Sequence, residues 1–337
     1  MKRILSMAFA SAGALSLQGC AGLQSALDPK GPAASELAWL IWFFTGLCAV
    51  VWVLVMIALA APLTMRSRAQ AEPLAIDPGA DGRKLRVVMT AVGVTAVILV
   101  GLTLLSFFAN RTLAAIGSDA ALTIRVTGHQ WWWEVRYENA MPSRILTTAN
   151  EIHIPSGEPV RLLLTSTDVI HSFWIPSLSG KLDLIPGHTN VLDIKADKPG
   201  VYRGQCAEFC GVQHANMGTF IIAEPRAKFD TWWNDQLRPA ADPTGDEAKA
   251  GEDLFQRRPC VMCHRIGGTP AGGTVAPDLT HIASRQTLAA GTLTMSRGNL
   301  AAWIADPQSI KPGSHMPVVE LNGDELNAIV AYLEGLK

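Results

Sequence analysis

Two runs without a charged residue, Leu37 to Met65 and Val87 to Asn110, constrain this chain more than any other feature. A hydrocarbon core about 30 Å thick is crossed by about 20 helical residues, so each run suffices for a transmembrane helix. Together they predict a helix hairpin over 37–110. The intervening segment 66–86 carries Arg66, Arg68, Arg83, Lys84 and Arg86, whereas the residues from Ala21 to Glu36 carry only Lys30 among the basic types. That bias places loop 66–86 in the cytoplasm and everything after Asn110 outside. Trp39, Trp42 and Trp52 are expected as interface anchors and lipid-facing bulk, and Cys48 as a small buried hydrophobe.

The N-terminus has the pattern of an export signal. Met1-Lys2-Arg3 precedes an apolar run from Ile4 to Leu17 that is too short to span a bilayer. It ends in Leu17-Gln18-Gly19-Cys20, which is similar to a bacterial lipobox, in which Cys20 would be diacylated and become the new N-terminus. The expectation is a signal peptide of lipoprotein type over 1–19 and an exported segment over 20–36. Nucleic-acid binding is excluded, because 28 basic residues face 29 acidic ones and leave no surplus to track phosphates.

Beyond the hairpin the pattern changes to short β-type runs: Leu122 to Thr127, Gln130 to Tyr137, Val160 to Thr167, Thr189 to Ile194 and Gly218 to Ile222. Alternation such as Leu122, Ile124, Val126 predicts strands with one buried face, and their spacing between Pro- and Gly-containing turns predicts an antiparallel sandwich over 118–237. Residues 238–246, rich in Pro, Ala and Asp, form an expected linker. From 247 to 337 the signals are helical, with apolar residues three and four apart in Gly251 to Gln256, Asn299 to Ala305 and Gly323 to Leu336.

Two constellations carry chemistry. Cys206, Cys210, His214 and Met217 are spaced C-x3-C-x3-H-x2-M, with His171 upstream. Two thiolates, two imidazoles and a thioether form a soft donor set that suits copper, and two cysteines can bridge two ions. A Cys206–Cys210 disulfide or a tetrahedral zinc site are the alternatives, and both leave Met217 unexplained. The second constellation is Cys260-Val-Met-Cys263-His264, the C-x-x-C-H of covalent haem c attachment, with His264 as proximal iron ligand. Met316, just before Pro317, is the expected sixth ligand; Met295 and His315 are the alternatives. Met262 lies inside the attachment loop.

On these motifs the chain resembles subunit II of the haem-copper cytochrome c oxidases, in the bacterial form with a cytochrome c domain fused at its C-terminus. The resemblance implies a two-helix transmembrane hairpin, an all-β cupredoxin-like sandwich and an all-α class I cytochrome c domain. It implies that His171, Cys206, Cys210, His214 and Met217 bind a dinuclear copper centre, CuA, through side chains, and Glu208 through its backbone carbonyl. The Glu208 carboxylate would reach a Mg or Mn ion shared with subunit I. Within Gly128-His129-Gln130-Trp131-Trp132-Trp133-Glu134, Trp131 would receive electrons, while His129 and His153 are expected to be structural and His281 a polar surface residue. Asp168 would either dock a cationic donor or cap a turn.

The implied function is electron input to a proton-pumping terminal oxidase. Electrons would come from cytochrome c or an upstream respiratory complex, pass through haem c and CuA, and reach subunit I, with subunit III as a further partner. The implied location is the bacterial inner membrane, with the copper and cytochrome domains on its outer side. Two departures stand out: Pro186-Gly187-His188 replaces a common Pro-Gly-Arg, and the start of the second helix offers only Asp81 for a proton-path acid. A copper-handling protein is the rival class, and it has no use for a covalent haem.

Overall fold

The computed structural model describes residues 22–64, 78–114, 116 and 119–337, so the expected signal peptide and Cys20 lie outside the described residues. The chain divides into a hairpin unit, Glu36–Ala115, and a second unit formed by the segment up to Ser35 with Ile116–Lys337.

In the hairpin, helix α1 runs Pro32–Thr64 and α2 Pro78–Ala114. Trp42, Trp52, Leu54, Val97 and Phe108 are exposed along them, a surface suited to lipid rather than water. Thr45, Thr95 and Thr103 satisfy their hydroxyls within the helix, each donating to the carbonyl four residues earlier. Two details differ from expectation. Helix α2 begins at Pro78, so Arg83, Lys84 and Arg86 lie within its first turns. Cys48 is exposed, since a two-helix unit has no interior to hold it.

The β-sandwich has ten strands: β1 Leu122–His129, β2 Trp132–Tyr137, β3 Leu146–Ala149, β4 Glu151–Pro155, β5 Val160–Ser166, β6 His171–Trp174, β7 Leu182–Leu184, β8 Asn190–Ile194, β9 Gly200–Cys206 and β10 Gly218–Glu224. They form two five-stranded sheets, ordered β3-β2-β1-β5-β8 and β4-β10-β9-β6-β7. Most pairs are antiparallel, but β1 runs parallel to β5 and β10 to β4, so the sheets are mixed. Alternation sets which side chains meet between them. In β5, Val160, Leu162 and Leu164 are buried while Arg161, Leu163 and Thr165 are not. With Ile124, Val126, Trp133 and Tyr137 they form one core, each large apolar side chain contributing about 1.5–3 kcal/mol of burial.

Helix α3, Arg226–Gln236, was not evident from periodicity because its apolar signal is little more than Phe229 and Trp233, four apart. Both are buried, and Trp233 meets Tyr137 edge-on at 5.1 Å between ring centroids. Helix α4 then runs Asp246–Arg257, and the turn α5 covers Cys260–Cys263. Helix α6 spans Arg297–Ala305, α7 Pro307–Ile310 and α8 Gly323–Glu334. Asn322 and Glu325 form a reciprocal capping box at the start of α8. A strand pair, Thr287–Leu288 with Leu293–Thr294, adds a small ribbon.

His281 corrects an expectation. It is buried rather than on the surface, with Nδ1 2.7 Å from the Lys337 carbonyl and Nε2 3.0 Å from the Arg238 carbonyl. It therefore ties the linker's first residue to the last residue of the chain. Ala240 also donates to Gly267 O, so the linker is fastened along the C-terminal helical domain.

Helices α4 and α8 cross at Gly251. A Cβ there would lie 1.9 Å from the Ala328 carbonyl oxygen, which makes this contact a backbone-to-backbone approach. Gly251→Ala is expected to destabilise the C-terminal helical domain by about 1–3 kcal/mol. Thermal unfolding followed by circular dichroism reads the shift; an unchanged midpoint contradicts this packing.

Candidate metal centre

Strands β9 and β10 pair through Gly218 and Gln205, and Cys206 N donates to Met217 O at 2.9 Å, closing residues 206–217 into one loop. Cys206 also pairs with Phe173 of β6, while Ala207 N donates to Ser172 O. Those bonds bring the first residue of β6, His171, onto the loop. The donor atoms of His171, Cys206 and Cys210 lie within 4.8 Å of one another, and all three residues are buried.

The sulfurs of Cys206 and Cys210 are 3.7 Å apart and unbonded, so they form no disulfide. His171 Nδ1 lies 3.9 Å from Cys206 Sγ, and His214 Nδ1 3.6 Å from Cys210 Sγ. Met217 Sδ stands 3.8 Å from Cys210 Sγ, and the Glu208 carbonyl oxygen 3.2 Å from Cys206 Sγ. The set is two sulfurs flanked by one imidazole each, with a thioether by one and a carbonyl by the other. A structural zinc ion takes four ligands and would leave two of these donors idle. Two sulfurs with four further donors around them fit two soft ions, and copper best.

Electrostatics couple the two thiols to each other and to His171. The Cys206 thiol is held far below its usual range, mainly by the hydrogen bond from Cys210, which outweighs burial. The same bond, with burial, pushes the Cys210 thiol up. Burial works against a charged His171, but its bonds to Cys206 and Asp168 prevail and raise its pKa.

Asp168 has a definite place. Its Oδ1 lies 2.8 Å from His171 Nε2 and its Oδ2 accepts from Gln130 N at 2.7 Å. It also accepts from Val169 N, so the carboxylate both caps a turn and orients the histidine. Gly128 supports the same ring: a Cβ there would come within 2.7 Å of His171 Cδ2. The Glu208 carboxylate is exposed, 3.6 Å from Lys181 Nζ. His188 is also exposed, its N–H closing a turn to Ile185 O.

Trp131 precedes β2, buried to 8 % exposure, and donates from Nε1 to the Cys210 carbonyl at 2.9 Å. On its other side its ring lies 5.8 Å from that of His315. Trp133 is a core residue, and Trp132 stacks on His129 at 4.4 Å. His153 pairs with Glu224 and stacks on Trp232, a structural role like that expected.

In the cytochrome domain, α5 carries Cys260 and Cys263 as free thiols, and His264 follows as its C-terminal cap. His264 Nδ1 lies 2.7 Å from the Pro277 carbonyl, which leaves Nε2 to bind iron. Burial lowers the His264 pKa, favouring the neutral form that ligates. Arg285, buried within electrostatic reach of His264, has an Nε without a partner among the described residues. A propionate-bearing group would satisfy it, so these residues fit a haem. Met316 lies in the loop after α7, its carbonyl held by Gln308 Nε2. Met295 packs instead against the domain's core.

Sequence reasoning missed the residues that join the two domains. Lys311 is 3 % exposed, with Nζ on carbonyls of both domains. The Glu151 carboxylate accepts from the backbone N–H groups of Gln286 and Thr287. Single charged residues bound to distant backbone leave no periodic signal.

Comparison with known proteins adds a second line of observation. Residues 139–224 match the family described as Cytochrome C oxidase subunit II, periplasmic domain, and residues 248–337 match Cytochrome c. The chain is 33% identical over 335 residues to cytochrome c oxidase subunit 2 of Alkalihalophilus pseudofirmus, covering 96% of this chain and 94% of that one. It is 33% identical over 272 residues to the same subunit of Bacillus sp. (strain PS3), covering 75% and 74%. Among solved structures, the periplasmic domain of subunit II of cytochrome oxidase from Bradyrhizobium japonicum is 32% identical. That match covers 36% of this chain and 96% of the other, with a TM-score of 0.34.

The Asp168–His171 bond generates a test. Asp168→Asn is expected to leave the sandwich folded but weaken copper binding about 10–100-fold, as loss of an orienting carboxylate does elsewhere. Chelator competition measures it, and unchanged affinity contradicts the orienting role.

Proposed function

We propose, for a chain that belongs to the cytochrome c oxidase subunit II family, that it carries electrons from its own haem c to a CuA centre and on to subunit I. The chain is thus a subunit of a haem-copper oxidase, anchored in a membrane with an external domain. In the proposed relay, Cys260 and Cys263 hold haem c, with His264 and Met316 as its axial ligands. His171, Cys206, Cys210, His214, Met217 and the Glu208 carbonyl hold CuA. When bound, these groups supply two one-electron carriers in series.

The observation that supports this reading most is the position of Trp131. Its indole touches the loop of the candidate copper ligands through Cys210 and faces His315, the neighbour of Met316. A single buried aromatic ring thus touches the copper-ligand loop and the segment that carries Met316. Around it the chain excludes water and fixes donor atoms: Met217 and His171 are fully buried, and Asp168 holds His171 by its outer nitrogen. A site whose ligands cannot move needs little reorganisation when its charge changes.

The exposed Glu208 carboxylate is available for a Mg or Mn ion at the junction with subunit I; Lys181 is its ion-pair partner within this chain. Subunit III and a cytochrome c or respiratory-complex donor complete the proposed partners. The proposed setting is a bacterial inner membrane, with oxygen reduction and proton pumping carried out by the assembled complex.

Cys206→Ser tests the relay in the assembled oxidase. Oxygen consumption should collapse while haem c stays reducible by its donor. Unchanged turnover overturns the assignment.

A further inference from the structure

We propose that Lys311 is a positioning residue that pins the cytochrome domain to the copper loop and fixes the separation between haem c and CuA. The inference rests on the relay proposed above and adds to it the part that sets its geometry.

Lys311 follows α7 in the cytochrome domain, and its Nζ donates to three backbone carbonyls. They belong to Trp131 at 2.9 Å, Asn216 at 2.8 Å and Ala289 at 3.1 Å. An ammonium group has three hydrogens and no acceptor, so three carbonyls satisfy it fully. Each comes from a different segment: the turn before β2, the copper loop next to Met217, and the cytochrome domain's own ribbon. Burial pushes its pKa down to about 8, so at neutral pH the charged, three-donor form prevails. A buried cation with a full set of acceptors joins its partners strongly; removing it takes the Lys311 bond from Trp131 O and leaves Ala289 O and Asn216 O with Thr292 Oγ1, at 2.7 and 3.4 Å.

The surroundings carry the same signature. Ala289 and Ala290 both adopt left-handed backbone, φ 51 and 58, which costs a non-glycine residue about 1–3 kcal/mol and persists only where neighbours over-determine it. Their carbonyls are the ones used at the joint: Ala289 O by Lys311, and Ala290 O by Gly218 N at 2.8 Å. Gln213 of the copper loop donates back to Pro312 O at 2.7 Å. Lys311 is thus the centre of a short bonded patch whose two ends are the Trp131 main chain and the loop leading to His315 and Met316.

The test uses the full chain in detergent and, separately, the assembled oxidase. In Lys311→Met, amide hydrogen exchange should rise in residues 213–218, 286–292 and 311–316, with the sandwich strands β1 and β5 unchanged. This readout needs no electron transfer. In the assembled enzyme the haem c to copper transfer rate should fall about tenfold or more, as misplacement by about 1 Å or more does in other active sites. The haem c potential should stay as in the wild type, and the copper paramagnetic spectrum should still show one electron shared by two ions, although His214 and Met217 lie in a loosened segment. Lys311→Arg, which keeps a buried cation, should restore part of both signals, and Lys311→Gln should lie between Arg and Met. Unchanged exchange in those three segments overturns the pinning role. Faster exchange with an unchanged transfer rate overturns the claim that pinning sets the separation. If the relay itself is wrong, Cys206→Ser leaves turnover intact, whereas the exchange result on Lys311 is independent of that outcome.

Discussion

Two cysteine sulfurs 3.7 Å apart in a buried pocket cannot both be thiolates without a cation beside them, and much of the exported unit serves that constraint. Desolvation and mutual repulsion favour keeping a proton on the pair, and a bound cation would displace it. The hairpin bond between Cys206 N and Met217 O, the pairing of β6 with β9, and the Asp168 carboxylate all act on the same few atoms. The β-sandwich supplies a rigid frame for them, because its alternating apolar faces leave the sheets no freedom of register.

The same frame explains how a second domain is held in place. The cytochrome domain is fastened by polar bonds, most of them to backbone. Glu151 caps the N–H groups of Gln286 and Thr287, Arg285 reaches Thr148, and Lys311 binds carbonyls on both sides. Bonds of this kind are directional, so they fix orientation as well as proximity. Trp131 lies where that orientation matters, between Cys210 and His315.

Legibility in the sequence followed the range of the interactions. The ligand loop could be read because four of its donors lie within twelve residues of one another, and the haem motif because three lie within five. Strands β1 and β5 showed their alternation, while β6 and β7, with four and three residues, were too short to show a period. Parallel pairing of β1 with β5 depends on topology, which no local pattern records. Asp168 could be read as a cap or as a docking group from sequence, and only the 2.8 Å approach to His171 gives it an orienting role. His281, Glu151 and Lys311 were illegible as joints because each binds backbone far away in the chain, and a lone charged residue ordinarily marks a solvated surface.

The central claim is that this chain holds two different redox centres, one of them a copper pair bridged by both thiolates. The most direct test is the copper-to-haem ratio of the full chain, matured with both groups, together with its electron paramagnetic resonance spectrum. The account predicts about two copper ions per covalent haem, with the unpaired electron shared equally between them, as two thiolate bridges allow. One copper per haem, with the electron on a single ion, would contradict it.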